Sequence, residues 1–405
     1  MSSICMYVPS SNGGHARYAR ELMTALAKQP RGPYLYELMS SQDLDEEFRP
    51  DLYPVHTFLR PLRHRSEFGS KATWIASRMA HYLRREMEFL AWLKARPDIV
   101  SVHFQEWTPW LAASMVRRIR KMDKKVFFTV HNVVPHRYPR LVPRFIMHSW
   151  IRNACCLCDG VFVHTDQLAR RMAEFLGERH PPIHVVPHGV WSVTDRNSTV
   201  PLQDRLGWKK LLFFGAIRRN KGLDLLLDAM KVLPEYGITI AGEPSESDYY
   251  QQEILPRIQQ LRSAGVQVDL RPVFTPEDQI GKLFQSHSAV VLPYTDSFVA
   301  QSGVVFMALA YEVPVISSEA GGLADLFARH RIGVTFDSPT PHALAAAIEE
   351  LYSKVDPVQL CNEIQAARQR FSWEEASSVA IASYGAPRER RACEHDYPLE
   401  ESFAH

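Results

Sequence analysis

Short apolar runs recur along the chain, and segments with the spacing of an amphipathic helix separate most of them. In the first half, a helix is predicted from about His15 to Lys28, after the first apolar run and a Gly-Gly turn. Continuous apolar strands that alternate with helices indicate a parallel sheet covered on both faces. The predicted strands of this half are ICMYVP (4–9), IVSVHF (99–104), KVFFTVH (125–131), GVFVHT (160–165) and IHVVPHG (183–189).

The same alternation returns after a polar stretch, SVTDRNSTVPLQD, whose composition is typical of a linker. Strong helical patterns occupy Lys221–Leu233 and Tyr249–Ser263. The predicted strands are KLLFFGA (210–216), GITIAG (237–242), VQVDLRP (266–272), AVVLPY (289–294), VPVISS (313–318) and GVTF (333–336). The predicted fold class is therefore α/β, with two doubly wound halves that face each other across a cleft.

The chain's 405 residues exceed the usual size of a single core, which favours two domains. We expect an N-terminal domain over residues 1–190, a linker over 191–206 and a C-terminal domain over 207–370. The tail from 387 to 405 has no periodicity and is predicted to be disordered. We find no apolar stretch of about 18 residues and no signal peptide. The spacing of the six cysteines suits neither a zinc ribbon nor a disulfide framework, so we expect buried thiols in a cytoplasmic protein.

Charge is divided unevenly between the two halves. Residues 1–190 hold 27 Lys and Arg against 17 Asp and Glu, while the remainder holds 20 against 28. Between Arg60 and Arg96, nine basic residues meet three acidic ones and are interleaved with aromatic and apolar residues. This segment is either a helix packed on its own domain or a face for an anionic membrane surface. Because no nucleic-acid motif accompanies it, we expect no nucleic-acid partner.

Two strand ends carry groups that suit a phosphate ligand. Gly13 and Gly14 follow the first strand, where they either let a backbone approach a ligand or only form a tight turn. They are not part of a GxGxxG dinucleotide fingerprint. Arg218 and Lys221 stand between a buried strand and a buried helix, where two cations in one loop can hold a diphosphate. The alternative is a surface loop that binds no ligand, on which the same two charges would have no functional role.

Two further positions allow both a structural and a functional interpretation. Ser302-Gly303 begins an almost wholly apolar helix, so this pair either caps the helix or presents its free N–H groups to an anion. His131 ends a predicted strand, where it is either a core histidine or part of a site at the cleft. The strand-end positions of both favour the functional interpretation.

Five motifs in order resemble the retaining GT-B glycosyltransferases of the large group 1 family. They are the Gly-Gly after the first strand, TVHN, VVPHGV, FFGAIRRNKGLDLLLDA and LPY followed by QSGVVFMALAYEVPVISSEAGGLADL. The resemblance covers roughly residues 4 to 385, and the form with HNVVPH and QSGVV is similar to a subgroup found in bacterial polysaccharide assembly. It implies two Rossmann-like domains and a C-terminal helix, 371–386, that crosses back to the N-terminal domain.

The resemblance also implies roles for individual residues. Arg218 and Lys221 would neutralise the diphosphate leaving group, and His131 would contact the donor sugar near the reacting face. Gly14 would close over the diphosphate from the other domain, Gly13 beside it would also belong to the donor site, and the Val273 backbone would meet the nucleobase. The donor would further contact a set of residues around the two loops of the C-terminal domain, namely Gly215, Gln301, Ser302, Gly303 and Val304.

Two departures from the family pattern concern the donor site. Most relatives carry two glutamates eight positions apart around this loop, the second of which holds the ribose, and here these positions are Val299 and Met307. Glu312 and Glu319 are the candidates to take over that contact. The arginine that commonly follows the strand-end glycine is replaced by Ala216, and we expect Arg218, two positions later, to substitute for it.

We therefore expect a hexosyltransferase that uses a nucleotide diphosphate sugar, with UDP-sugar favoured over GDP-sugar. The expected acceptor is a glycan or lipid-linked molecule in polysaccharide biosynthesis, and the expected location is the cytoplasm or the inner face of the membrane. No cofactor or metal is expected. The alternatives are an epimerase or hydrolase of the same architecture and a non-catalytic scaffold that binds nucleotide sugars.

Overall fold

The structure is a computed structural model that describes residues 2–10, 14–29, 32–43, 48–61, 67–131, 133, 142–178, 180–193, 200–298 and 302–387. Within these ranges the strands form two sheets, one of seven strands and one of six, and all the strand pairings are parallel. The predicted α/β class with two doubly wound halves is thus confirmed.

The first sheet has the strand order β3-β2-β1-β4-β5-β6-β7. Its strands are β1 (Ser3–Val8), β2 (Leu35–Ser41), β3 (Val55–Leu59), β4 (Ile99–Phe104), β5 (Lys125–Thr129), β6 (Gly160–Val163) and β7 (Ile183–Val185). Its helices are α1 (Gly14–Lys28), α2 (Lys71–Lys94), α3 (Pro109–Arg120), α4 (Arg144–Leu157) and α5 (Asp166–Leu176).

The second sheet has the strand order β10-β9-β8-β11-β12-β13. Its strands are β8 (Lys210–Phe214), β9 (Gly237–Ala241), β10 (Val268–Arg271), β11 (Ala289–Leu292), β12 (Val315–Ser318) and β13 (Gly333–Phe336). The helices of this half are α6 (Leu202–Leu206), α7 (Leu223–Ala229), α8 (Ser247–Tyr249), α9 (Leu255–Ser263), α10 (Glu277–Gln285), α11 (Gly303–Ala310), α12 (Leu323–Arg329), α13 (Pro341–Ser353), α14 (Pro357–Arg370) and α15 (Trp373–Gly385).

Strand β2 has no counterpart among the predicted strands because an acidic residue interrupts its apolar pattern. Glu37 is buried in the middle of the strand, where it accepts a hydrogen bond from Arg96 at 2.6 Å and lies 2.8 Å from His56 Nε2. Burial raises the pKa of Glu37, but the hydrogen bonds from Arg96 and His56 lower it further, so the net shift is downward. These long-range partners make a charge acceptable in a central strand.

The helix predicted over Tyr249–Ser263 contains a π-helical turn at Tyr250–Ile254, between α8 and α9. Pro256 stands at the start of α9 and has no N–H to donate to the preceding turn. The change of hydrogen-bond register before it accommodates this missing donor.

The two halves are joined by a shared apolar core and by α15. This helix packs on α1, and Trp373 Nε1 donates a hydrogen bond to the Val190 carbonyl at 2.8 Å. Further along α15, the hydroxyl of Tyr384 lies 2.6 Å from Nδ1 of His103 on β4. The chain therefore returns to the first sheet after completing the second.

Candidate active site

Each sheet reverses its strand order at one point, and ligands of doubly wound sheets bind beyond the carboxyl ends of the strands there. In the first sheet this point lies between β1 and β4, and in the second it lies between β8 and β11. Gly14 and Glu106 follow the two strands at the first point. Arg218, Lys221 and the start of α11 follow the two strands at the second.

The loop after β8 and the loop after β11 are held against each other by a close backbone approach at Gly222. This residue has a φ of 65°, and a Cβ built on it would lie 1.8 Å from the carbonyl oxygen of Pro293. The backbone N–H of Thr295 also donates to the Asn220 carbonyl at 3.2 Å. Only glycine fits such a contact with a left-handed backbone. Gly222 therefore fixes Lys221, its neighbour, against the second loop.

The Lys221 ammonium is enclosed by aromatic rings rather than by carboxylates. Its Nζ lies 3.8 Å from the ring centre of Tyr294 and 4.4 Å from that of Phe298. Among the described residues, no carboxylate comes within 4.0 Å of it. Burial and the neighbouring Arg218 charge hold the pKa of Lys221 well below its ordinary value. A bound anion would supply the negative charge that this side chain lacks.

Ser302 is the N-cap residue of α11, but its side chain makes no capping hydrogen bond. Its Oγ instead lies 2.9 Å from the hydroxyl of Tyr294, in a buried contact between the two ends of the loop. The Ser302 side chain therefore leaves the first N–H groups of the helix available for another acceptor. This geometry removes the simple capping interpretation and is compatible with an anion at the helix start.

Gly215 brings the end of β8 next to the same helix. Its φ is 108°, and a Cβ built on it would lie 3.8 Å from Cγ2 of Val304. Arg218 begins the short 3₁₀ turn Arg219–Lys221 in an extended conformation. The structure thus brings together Gly215, Arg218, Lys221 and the start of α11 in one region of the second half.

The opposing wall of the cleft is formed by the start of α1. A Cβ built on Gly14 would find no atom of the described residues within 4 Å. His15, the next residue, places Nδ1 at 2.6 Å from Oε1 of Glu106, and the Ser10 hydroxyl donates to Oε2 of the same carboxylate at 2.5 Å. Burial raises the pKa of Glu106, but the hydrogen bond and charge of His15 lower it further.

His131 lies just beyond β5 and is the centre of a cluster of imidazole rings. The ring of His15 stacks on it at 4.3 Å between centres. Its Nε2 lies 3.1 Å from the Gln105 side-chain oxygen, and its Nδ1 lies 3.1 Å from Nε2 of His164. Burial, followed by the charges of the neighbouring histidines, holds the pKa of His131 well below its ordinary value. His131 is therefore neutral near pH 7, with a fixed ring orientation.

The histidine cluster reaches the second half through Trp191. The His188 ring stacks on Phe306 of α11 at 4.4 Å and meets Trp191 edge-on at 4.8 Å. Nε1 of Trp191 donates to the Gly303 carbonyl at 2.8 Å. On the far side of Trp191, the Arg17 guanidinium lies 4.7 Å from its ring centre. These contacts connect the two walls of the cleft.

The remaining candidate residues differ in how close they lie to the carboxyl ends of β8 and β11. Val273 is 61% exposed and follows β10, the edge strand, two strands away from β8. Glu312 lies at the far end of α11, where Arg368 pairs with it at 2.8 Å, so it is wrongly placed to hold a ligand at the helix start. Glu319 follows β12 directly, at the carboxyl edge next to β11. Gly13, Val299 and Gln301 lie outside the described residues.

Sequence reasoning missed the pair of His15 and Glu106. The segment HFQEWT carries Gln105 and Glu106 immediately after β4, so the strand-end rule that selected Lys221 also applies to them. What the sequence does not reveal is that a histidine 91 positions earlier contacts this glutamate.

Two structural properties bear on the kind of protein. Among the residues in the described ranges, no helix is both long enough and apolar enough to cross a bilayer. Within the same ranges, no group of three or more His, Cys, Asp or Glu side chains is arranged to hold a metal ion.

Both halves of the chain match known domain families. Residues 12–191 match the family described as Glycosyltransferase Family 4, and residues 201–370 match the family described as Glycosyl transferases group 1. The two matches together take in most of the chain, including both walls of the cleft.

Curated relatives show the same kinship, and a solved structure shows the same fold. A D-inositol 3-phosphate glycosyltransferase of Paenarthrobacter aurescens is 30% identical over 183 residues, which is 43% of each chain. The glycogen synthase of Mycobacterium tuberculosis is 24% identical over 426 aligned positions, covering 98% of this chain and 96% of that one. The Anabaena protein HepE, solved in complex with UDP and glucose, superimposes with a TM-score of 0.68 at 15% identity. That superposition covers 96% of this chain and 100% of HepE, and shares the GT-B fold.

Proposed function

Because the chain belongs to the glycosyltransferases, with a family 4 segment followed by a group 1 segment, we propose that it transfers a hexose from a nucleotide diphosphate sugar with retention of configuration. The proposed donor is a UDP-sugar, in line with the UDP held by the HepE structure. The proposed acceptor is a glycan or lipid-linked molecule in polysaccharide assembly. The observation that carries the proposal is the buried Lys221 ammonium, held without a carboxylate partner among the described residues beside the uncapped start of α11.

The proposed reaction is driven by stabilisation of the leaving group. The bond between the anomeric carbon and the diphosphate oxygen breaks while an acceptor hydroxyl forms a bond to the same carbon from the same face. The hydroxyl proton passes to the departing diphosphate. Lys221, Arg218 and the N–H groups of Gly303 and Val304 would stabilise the negative charge that builds on the diphosphate, since groups fixed in place by the fold need little reorganisation during the reaction.

The first wall would hold the sugar and close the site. A neutral His131 is suited to a hydrogen bond with a sugar hydroxyl rather than to pairing with the diphosphate, because its pKa lies well below 7. Gly14, where an added Cβ would meet no atom of the described part of the chain, would admit the phosphates close to the α1 backbone. In place of the glutamate that most relatives use, Glu319 is our candidate for the ribose contact.

We expect UDP and UDP-sugars to raise the unfolding temperature more than GDP, ADP and their sugars. A ligand that binds only the folded protein stabilises it by RT ln(1 + [L]/Kd), about 2.7 kcal/mol at a hundredfold excess over Kd. A thermal-shift screen with each nucleotide measures this, and Lys221→Met provides the control for binding at the proposed site. Equal shifts for all nucleotides would contradict the assignment of UDP.

Release of free or epimerised sugar without an acceptor would favour the epimerase or hydrolase, and donor binding without turnover would favour the scaffold.

We expect turnover to continue without divalent cations, because Arg218, Lys221 and helix N–H groups would provide the positive charge that Mg²⁺ supplies elsewhere. The chain contains one Asp-x-Asp sequence, Asp43-Leu44-Asp45, and Asp43 follows β2 in the first half rather than the β8 and β11 loops. Initial rates with EDTA and with added Mn²⁺ test this, with Asp43→Asn as the matched variant. Activity that EDTA abolishes and Mn²⁺ restores would show that a metal is required.

We also propose that the first half rests on an anionic membrane surface through the segment Arg60–Arg96. On α2, Met79, Leu83 and Met87 form an exposed apolar stripe with the spacing of one helix face. Arg84 beside it is exposed, whereas Arg85 is buried. Each basic residue near such a surface contributes about 1 kcal/mol. Co-sedimentation with phosphatidylglycerol vesicles should weaken at high salt and on joint Lys71→Glu and Arg84→Glu substitution; binding that ignores both would contradict the proposal.

A further inference from the structure

A cavity of about 1050 Å³ lies in the first half, beside the start of α1 and apart from the Lys221 loop. It is bordered by α2, by the ends of β1, β2, β3 and β4, and by α3 and α4, and it is open to solvent on one side. Its volume is at the upper end of the range for small-molecule sites. Four of the chain's eight tryptophans line it, namely Trp74, Trp107, Trp110 and Trp150. Such a wall is suited to an apolar chain or a flat apolar ring system.

The cavity also carries positive charge. The Arg78 guanidinium is held over the rings of Trp74 and Tyr82, at 5.1 and 5.5 Å from their centres, and donates to the Tyr82 hydroxyl at 2.6 Å. Arg85 is only 8% exposed and lies 5.3 Å from the Tyr82 ring centre. Arg60 is at the rim. Three guanidinium groups therefore lie among the aromatic and apolar side chains of the lining.

Carboxylates in the described lining neutralise only part of this positive charge. The described lining includes two, Asp43 and Glu106, and Glu106 already accepts from Ser10 and contacts His15. The indole N–H of Trp74 and Nε of Arg85 are buried, and neither has a hydrogen-bond partner among the described residues. An occupant with an anionic group would complement the remaining positive charge, and arginine is the side chain best suited to grip a phosphate.

The two ends of the cavity lead to different surroundings. At the inner end, Glu106 and Ser10 connect it to His15, whose ring stacks on His131 in the proposed donor site. At the outer end, Met79 belongs both to the lining and to the exposed apolar stripe of α2. An occupant can thus reach from an apolar surface to the reacting centre.

We propose that this cavity is the acceptor site and that the acceptor is a lipid phosphate, an amphiphile with a hydrocarbon chain and a phosphate group. This inference rests on the proposed function, because an acceptor site requires a sugar donor bound nearby. The chain lies along the tryptophans toward α2, the phosphate pairs with Arg78 and Arg85, and the part that bears the acceptor hydroxyl points to Glu106.

The test uses the full chain and measures quenching of tryptophan fluorescence by farnesyl phosphate below its aggregation concentration. Farnesol, which lacks the anion, and inorganic phosphate, which lacks the chain, are the matched probes. We expect farnesyl phosphate to bind at least about tenfold more tightly than either, as a charged hydrogen-bonded contact implies. Arg78→Met should remove that advantage and leave farnesol binding unchanged. Arg117→Met, an exposed arginine on α3, should leave all three affinities as they are.

Three outcomes would overturn the proposal. If farnesyl phosphate binds no better than farnesol, the site does not recognise a phosphate group. If an Arg78→Met variant binds farnesyl phosphate like the parent, the site lies elsewhere. Preferential binding of a neutral oligosaccharide such as maltotriose, lost on Trp74→Ala, would make the acceptor a glycan. The thermal shift by UDP separates these results from failure of the proposed function, because Arg78→Met should keep that shift in full.

Discussion

Replacing Lys221 with methionine is expected to lower kcat by about 10²–10³-fold, the usual loss when one preoriented charge-stabilising group is removed. The ammonium lies in an aromatic enclosure at the point where diphosphate charge would develop, so its contribution grows as the bond to the sugar breaks. An interaction that strengthens in the transition state lowers kcat more than it raises KM. Steady-state kinetics with the donor found in the thermal-shift screen measure both constants.

The variant should remain folded, which makes the result interpretable. Methionine has a similar length and no charge, and the rings of Tyr294 and Phe298 favour an apolar neighbour. Lys282→Met, at an exposed position on α10, is the matched control and should keep the parental kcat. A Lys221→Met enzyme that turns over like the parent would place the diphosphate elsewhere.

The same lysine should make donor binding take up a proton. In the free protein, burial and Arg218 hold the pKa of Lys221 well below its ordinary value, and a bound diphosphate would raise it again. Affinity should therefore fall as pH rises through the window between the free and bound pKa values. Titration calorimetry in two buffers of different ionisation enthalpy would reveal the proton, and Lys221→Met would abolish it.

The candidate residues that the sequence places correctly at the edge of a sheet are those whose position depends on strand order alone. Lys221 and His131 each follow a buried strand, and the carboxyl ends of parallel strands share one edge of the sheet. For the same reason Glu312 was a poor candidate, because a helix of eight residues separates it from that edge. Topology thus accounts for which loops meet at the cleft.

The sequence alone could not predict contacts between side chains that lie far apart along the chain. Ser302 has the composition of a helix cap, yet its Oγ contacts the Tyr294 hydroxyl instead, a choice set by the packing of two loop ends. Glu37 interrupts the apolar pattern of β2, so the sequence does not indicate a strand there. The residue that makes its burial possible, Arg96, lies 59 positions later in the sequence. The sequence of α2 allowed either packing on its own domain or a membrane face, and it could not show that Trp74 and Tyr82 line a cavity.

Lowering the pH from 7 to 5 is expected to remove at least about 3 kcal/mol of the free energy of unfolding, because histidines that are buried and neutral in the folded protein take up protons when unfolding exposes them to water at that pH. Burial lowers the pKa of His103 and of His188 to about 3 and that of His164 to about 4. Each of these folded-state values lies below the unfolded value of about 6.5, so the unfolded chain binds more protons in between. The stability they contribute is fully present above about pH 6.5 and is lost as pH falls to the folded-state values between 4 and 3.

The sum has contributions of both signs. Each of the three histidines accounts for about 2 kcal/mol between pH 7 and 5, at about 1.4 kcal/mol per unit of pH below the unfolded pKa. Glu86 opposes them: burial raises its pKa to about 8, so its neutral form stabilises the fold increasingly as pH falls from 8 toward the unfolded value. This offsets about 2.5 kcal/mol over the same range. His131, whose pKa is also held well below its ordinary value by burial, adds to the loss, so the histidines remain dominant.

Urea denaturation at pH 7, 6 and 5 measures the slope, and His103→Gln tests its origin. Glutamine can keep a hydrogen bond with the Tyr384 hydroxyl or with the Thr129 hydroxyl, which lie 2.6 and 2.7 Å from the two ring nitrogens. The variant should be less stable at pH 7 but should lose about 2 kcal/mol less than the parent on acidification, since one titrating group is gone. His342→Gln, at an exposed position at the start of α13, should leave the slope unchanged. A parental slope that is flat between pH 7 and 5, or one that His103→Gln does not reduce, would show that these histidines do not control acid stability.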